Sequence, residues 1–152
     1  MYQRPEKSPW GEVETCDVLC PGVFLVSTAS HGGTLVSNEV SAMLSPAAQK
    51  CGFRHGGYLC FEEDSQESIV LRELLDKKLW AVPARIKNKA AFEENINKSI
   101  REYNPDYWGS DRPEWRKFLP GRLSRLTMLN ADTSGQLGPK SERRILPIGL
   151  CK

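Results

Sequence analysis

The sequence predicts an α+β domain: a small mixed or antiparallel sheet of three to five strands, packed by two main helices near residues 66–80 and 88–103 plus short helices. Three observations point there. Val23-Phe24-Leu25-Val26-Ser27-Thr28 is an unbroken β-branched and aromatic run, the pattern of a strand covered on both faces. Ile69, Leu71, Leu74, Leu75 and Leu79 recur near helical period, as do Ala91, Phe92, Ile96 and Ile100. A chain of 152 residues, 39% apolar and 26% charged, has the size and balance of one globular domain with one core.

Taken in order, residues 1–9 are polar, carry Pro5 and Pro9, and read as a flexible arm ahead of a single domain over 10–152. Residues 13–18 suggest a short strand, and Pro21-Gly22 turns the chain into the run at 23–28. Thr34-Leu35-Val36 returns as the next strand. The intervening His31-Gly32-Gly33 is expected to form the bend, its glycines supplying positive φ. Ser37 or Asn38 caps a short helix through Met43-Leu44, and Ser45-Pro46 opens another toward Cys51, ended by Gly52. A second His-Gly-Gly, His55-Gly56-Gly57, reads as an exposed loop tip before a strand over 57–61, which Glu62-Glu63-Asp64 closes. Ser65-Gln66-Glu67-Ser68 resembles a capping start for the first main helix. Pro83 interrupts, and Asn104-Pro105 stops the second. Residues 113–119 suggest one or two further helical turns, and an irregular tail is expected from about 120.

Composition narrows the function classes. No apolar run approaches the roughly 20 residues of a membrane span, and the first residues lack the apolar core of a signal peptide. Five cysteines, Cys16, Cys20, Cys51, Cys60 and Cys151, suit free thiols in a reducing cytoplasm. The expected location is the cytoplasm. Residues 1–80 hold 7 Lys/Arg against 11 Asp/Glu, a net −4, whereas residues 81–152 hold 14 against 8, a net +6. Such asymmetry speaks to partners, not to fold.

The segment Pro21-Gly22-Val23-Phe24-Leu25-Val26-Ser27-Thr28-Ala29-Ser30-His31-Gly32-Gly33, with Gly57-Tyr58 and Phe61-Glu62-Glu63-Asp64 downstream, resembles an uncharacterised family encoded by bacteriophages, plasmids and other mobile elements. The shared mark is Val-Ser-Thr-x-Ser-His-Gly-Gly, and the similarity covers about residues 10–75. It implies a mobile-element origin and no assigned chemistry.

Each candidate site has a plainer reading beside it. His31, with Ser27 and Ser30 nearby, could act as a general base above an anion-binding nest of the Gly32 and Gly33 amides. Its ring could equally lock a tight turn, which is favoured because no partner carboxylate is placed by sequence. Glu62, Glu63 and Asp64 could assist His31 in a hydrolase, or simply put negative charge at the start of the first main helix. Adjacent residues on extended chain point apart, and the cysteine and histidine spacing does not match zinc, so no metal or other cofactor is expected. The basic half interleaves aromatics: Tyr103, Tyr107, Trp108, Arg112, Trp115, Arg116, Lys117, Phe118, Arg122 and Arg125. That composition fits a protein interface, nucleic acid, or core rings among solvated cations.

The leading expectation is a non-enzymatic mobile-element protein that binds and inhibits a host macromolecular complex, in its sharpest form an anti-CRISPR-like inhibitor. Binding residues would be Tyr107, Trp108, Arg112, Trp115, Arg116, Lys117 and Arg122. Two alternatives stand: a nucleotide- or nucleic-acid-directed hydrolase using His31 with Glu62, Glu63 or Asp64, and a nucleic-acid-binding accessory protein using residues 103–125.

Overall fold

The computed structural model describes residues 1–110. A two-stranded hairpin, β1 (Lys7–Ser8) and β2 (Gly11–Glu12), opens the chain, with β1 in the segment 1–9 expected to be an arm and β2 in the domain that follows. Five further strands make one antiparallel sheet in the order β3 (Thr15–Cys20), β4 (Val23–Ser27), β5 (Gly32–Ser37), β7 (Tyr58–Glu62), β6 (Phe53–His55). The expected fold class is therefore the observed one, with the sheet resolved as antiparallel.

The helices are α1 (Asn38–Ser41), α2 (Pro46–Cys51), α3 (Glu67–Asp76), α4 (Lys89–Tyr103) and α5 (Pro105–Gly109). The caps predicted at Ser37 and Ser45 hold, whereas the capping start expected over 65–68 forms no side-chain cap on α3. Ser37 Oγ accepts from Val40 N–H at the start of α1, and Ser45 Oγ accepts from Ala48 N–H at the start of α2. α3 stops four residues before the predicted end. Lys78 takes a left-handed φ of 57°, and the Leu79 and Lys78 amides donate back to the Leu74 and Leu75 carbonyls at 2.9 and 3.1 Å. That is a Schellman closure. Asn104-Pro105 ends α4 as predicted, but Pro105 also begins α5, since proline fits a first helical turn as well as it stops one. The helix expected over 113–119 and the tail from about 120 lie outside the described residues.

The sheet buries both faces, as the continuous run at 23–28 requires. On one face Val23, Val36, Leu59 and Phe61 pack under Ile69, Val70, Leu71 and Leu74 of α3 and Phe92, Ile96 and Ile100 of α4. α3 and α4 are further joined by Arg72, which reaches Asp76 at 2.6 Å and Glu93 at 3.1 Å. On the other face Phe24, Val26, Leu35 and Cys60 form a second cluster with Trp10, Val13, Cys16 and Tyr58, none of them helical.

Candidate functional site

The His31 motif and the acidic triplet are far apart in sequence but adjoin at one end of the sheet. β5 runs between β4 and β7, with Gly33 paired to Val26 on one side and to Glu62 on the other. Beyond the strands, Glu63 N–H donates to the Gly32 carbonyl at 3.2 Å.

The bend between β4 and β5 belongs to Thr28, not to glycine. Thr28 N–H and Oγ1–H both donate to the His31 carbonyl, at 2.8 and 2.7 Å, and Thr28 Oγ1 accepts from His31 N–H at 3.2 Å. Gly32 and Gly33 lie inside β5 and have no left-handed φ, so the expected glycine bend is corrected. Their backbone groups face paired strands, which also removes the expected anion nest. What demands glycine there is proximity. A Cβ on Gly33 would collide with the Phe61 carbonyl and the Trp10 ring, and one on Gly32 would stand 2.5 Å from Glu63 Oε2 and 2.7 Å from the Val26 carbonyl.

His31, Glu62, Glu63 and Asp64 are all exposed. Among the described residues no hydrogen bond or ion pair joins the His31 ring to those carboxylates, so the base–carboxylate couple a hydrolase needs is not assembled. Ser27 Oγ is paired across the strands with Thr15 Oγ1 at 2.5 Å, and Ser30 is exposed on the turn. No group of three His, Cys, Asp or Glu among the described residues could hold a metal ion. The four described cysteines are free, and burial pushes each thiol up, Cys60 to about 11, so they behave as small apolar residues and not as nucleophiles.

One further carboxyl at this corner lies inside the fold. Glu67, the first residue of α3, is 2% exposed, and its Oε1 has no hydrogen-bond partner. Burial first, then the charges of Glu63 and Asp64, push its carboxyl up to about 8. Thr34, on the same helix-covered side of β5 as Val36, is fully buried and its Oγ1 is equally bare. The sequence signal exists: Glu67 falls four residues before Leu71 and three before Val70, on the apolar stripe, one turn after Glu63.

The basic aromatic half divides at the edge of the described residues. Tyr107 is corrected from candidate binder to core: it is 2% exposed and its hydroxyl donates to Glu73 Oε1 at 2.8 Å. Trp108 is half-buried, with the Arg101 guanidinium 5.0 Å from its ring centroid. Arg112, Trp115, Arg116, Lys117 and Arg122 lie outside the described residues.

The surface with interface character is on the helix-free side. Strand register aligns Val18, Phe24, Leu35, Cys60 and Phe53 in one row across all five strands. The centre of the row is buried, but its ends are open, Val18 at 48% and Phe53 at 38% exposure. Trp10 crosses this face, seated over Gly33 and edge-on to Phe53 with centroids 6.1 Å apart. The His55-Gly56-Gly57 turn projects beside Phe53. Here both glycines are left-handed, at 54° and 85°, as a two-residue hairpin loop requires.

A family model described as Domain of unknown function (DUF7007) matches residues 3–117, spanning the motif, the acidic corner and α3 to α5. No curated protein and no solved structure matches the chain.

Proposed function

The chain belongs to the DUF7007 family, and we propose that it works as a binding protein that occupies a surface of a partner macromolecule without making or breaking bonds. The observation that carries this reading is the apolar row on the helix-free face, open at Val18 and Phe53 and flanked by Trp10 and half-buried Tyr58. Aromatic and aliphatic side chains partly ordered by their own core, with charged residues at the rim, are the usual anchors of a protein interface. His31, Glu63 and Asp64 adjoin as exposed groups with no hydrogen bond or ion pair from the ring to the carboxylates among the described residues, which supports the same reading over hydrolysis. No helix among the described residues is long and apolar enough to cross a membrane.

In its finer form, the protein is an anti-defence inhibitor carried by a phage or other mobile element, acting in the cytoplasm of a bacterial host on a complex such as a CRISPR effector. The motif resemblance supports that setting. The test is a phage-plating assay in cells with an active CRISPR system, with and without the protein. Wild type should restore plating. Phe53→Asp and Val18→Asp should each cut the effect roughly tenfold or more, as loss of a hot spot of about 2 kcal/mol would, while thermal unfolding shows both variants folded. His31→Ala combined with Glu63→Ala should retain full effect. No restoration by wild type removes the anti-CRISPR form. Full activity of both surface variants removes the helix-free face as the interface, and loss of activity in the His31/Glu63 variant overturns the binding reading in favour of hydrolysis.

A further inference from the structure

Among the described residues, no carboxyl oxygen other than Glu67 Oε1 is buried without a partner. Its surroundings offer no cation among the described residues. β5 presents Thr34 and Val36 on the helix-covered side, and β7 presents Leu59 and Phe61. The connection ahead of α3 brings Glu63 and Asp64, both acting on Glu67 as like charges. On α3 itself, Arg72 is committed to Asp76 and Glu93. From α4, Asn97 is neutral, Lys98 is exposed, and Arg101 is held by Glu94 at 2.5 Å. α2 meets the opposite end of α3, where Ser45 bonds Glu73. An ionised carboxylate without a donor is strongly disfavoured in such a place, and its neutral form far less so.

We propose that Glu67 is carried protonated in the closed fold and acts as a proton-operated latch on the acidic corner, so that loss of its proton opens the first turn of α3 together with residues 62–66. The corner is built to yield there. Gln66, at the N-cap of α3, gives the helix no side-chain cap. The connection is held by two long bonds of 3.2 Å, Glu62 N–H to Gln66 Oε1 and Glu63 N–H to the Gly32 carbonyl, by Gln66 N–H to the Glu62 carbonyl at 3.0 Å, and by the Asn104 side chain on the Ser65 carbonyl. Opening would carry Glu63 off Gly32 and expose the end of β5 that carries the His31 motif. The direction follows from the folded carboxyl titrating at about 8 against an ordinary value of 4.5. The stabilising effect is fully present below about 4.5, declines as pH rises toward 8, and is gone above it.

The experiment uses the full chain. Carbon-13 NMR of the glutamate carboxyls should show Glu67 titrating near 8. Pulsed hydrogen exchange, expressed as protection factors, should show amides 63–70 losing about tenfold protection per pH unit between 5 and 8. That loss should level off above 8, while amides near Glu73 keep theirs. Glu67→Gln should abolish the slope, and Asp64→Asn should move the Glu67 midpoint down. A Glu67 midpoint below 6, or equal slopes in wild type and Glu67→Gln, overturns the latch. Should Glu67→Gln fail to fold, the carboxyl titration of wild type and of Asp64→Asn decides.

Discussion

α3 carries a buried carboxyl near each end, and the two are treated in opposite ways. Glu73 is 3% exposed, yet Ser45 N–H, Ser45 Oγ–H and Tyr107 Oη–H all donate to it, at 3.0, 2.6 and 2.8 Å, with Lys77 Nζ 3.6 Å away. Glu67, six residues earlier and equally enclosed, meets two more carboxylates and leaves an oxygen bare. The Glu73 end is thus a three-helix clamp. Ser45 caps α2 with the same hydroxyl that binds Glu73, and Tyr107 brings α5 to the same oxygen. The difference teaches where this fold is fastened and where it is free to move: burial is equal, so donors alone separate the two ends.

The sharpest way to break that contrast is to replace each carboxyl by a hydrocarbon. Glu73→Leu strands three donors, the Tyr107 hydroxyl buried and the two of Ser45 part-buried, and should lower stability by about 3–5 kcal/mol in urea unfolding. Glu67→Leu strands none and removes a bare polar group. It should raise stability by about 1–3 kcal/mol at pH 8, and by less at pH 5, where the native carboxyl is already neutral. Two losses of similar size would show that the bare oxygen of Glu67 is satisfied in solution. Tyr107→Phe tests the clamp more gently. One donor to Glu73 is lost while Ser45 keeps two, so about 1.5 kcal/mol should go, with the melting transition still cooperative.

How much of this is legible in the sequence depends on whether a residue's reason lies next to it or across the fold. The β-branched run at 23–28, the Ser37 and Ser45 caps and the stripe of α4 declare themselves because their causes are local. The two His-Gly-Gly strings separate the cases. Gly56 and Gly57 need positive φ for a two-residue loop, which the dipeptide advertises, although the short exposed strand Phe53–His55 before it has no periodicity to read. Gly32 and Gly33 are glycine because Glu63, Phe61 and Trp10 approach from elsewhere in the chain. No local pattern distinguishes them from a bend. Tyr107 reads as a member of a basic aromatic surface because its partner Glu73 is 34 residues away. Glu67 is the intermediate case: its place on the apolar stripe is visible, but an acidic residue in a first helical turn has an ordinary explanation that hides it.

The smallest expected effect sharpens the same comparison from the last turn of α3. Lys78 holds a φ of 57°, where a Cβ is disfavoured and glycine is not. The strain is accepted because the turn closes two carbonyls, those of Leu74 and Leu75, and aims Leu79 and Trp80 back onto the core. Lys78 is exposed, so removing its side chain uncovers nothing buried. Lys78→Gly should therefore raise stability by about 0.5–1 kcal/mol, a rise in melting temperature of about 3 °C for a domain of this size. The gain should be the same at pH 5 and pH 8, because no proton is involved. Against it, Glu67→Leu should gain more at pH 8 than at pH 5. If both gains shift with pH in parallel, the whole helix responds to charge, and the donor-poor first turn is not its point of release.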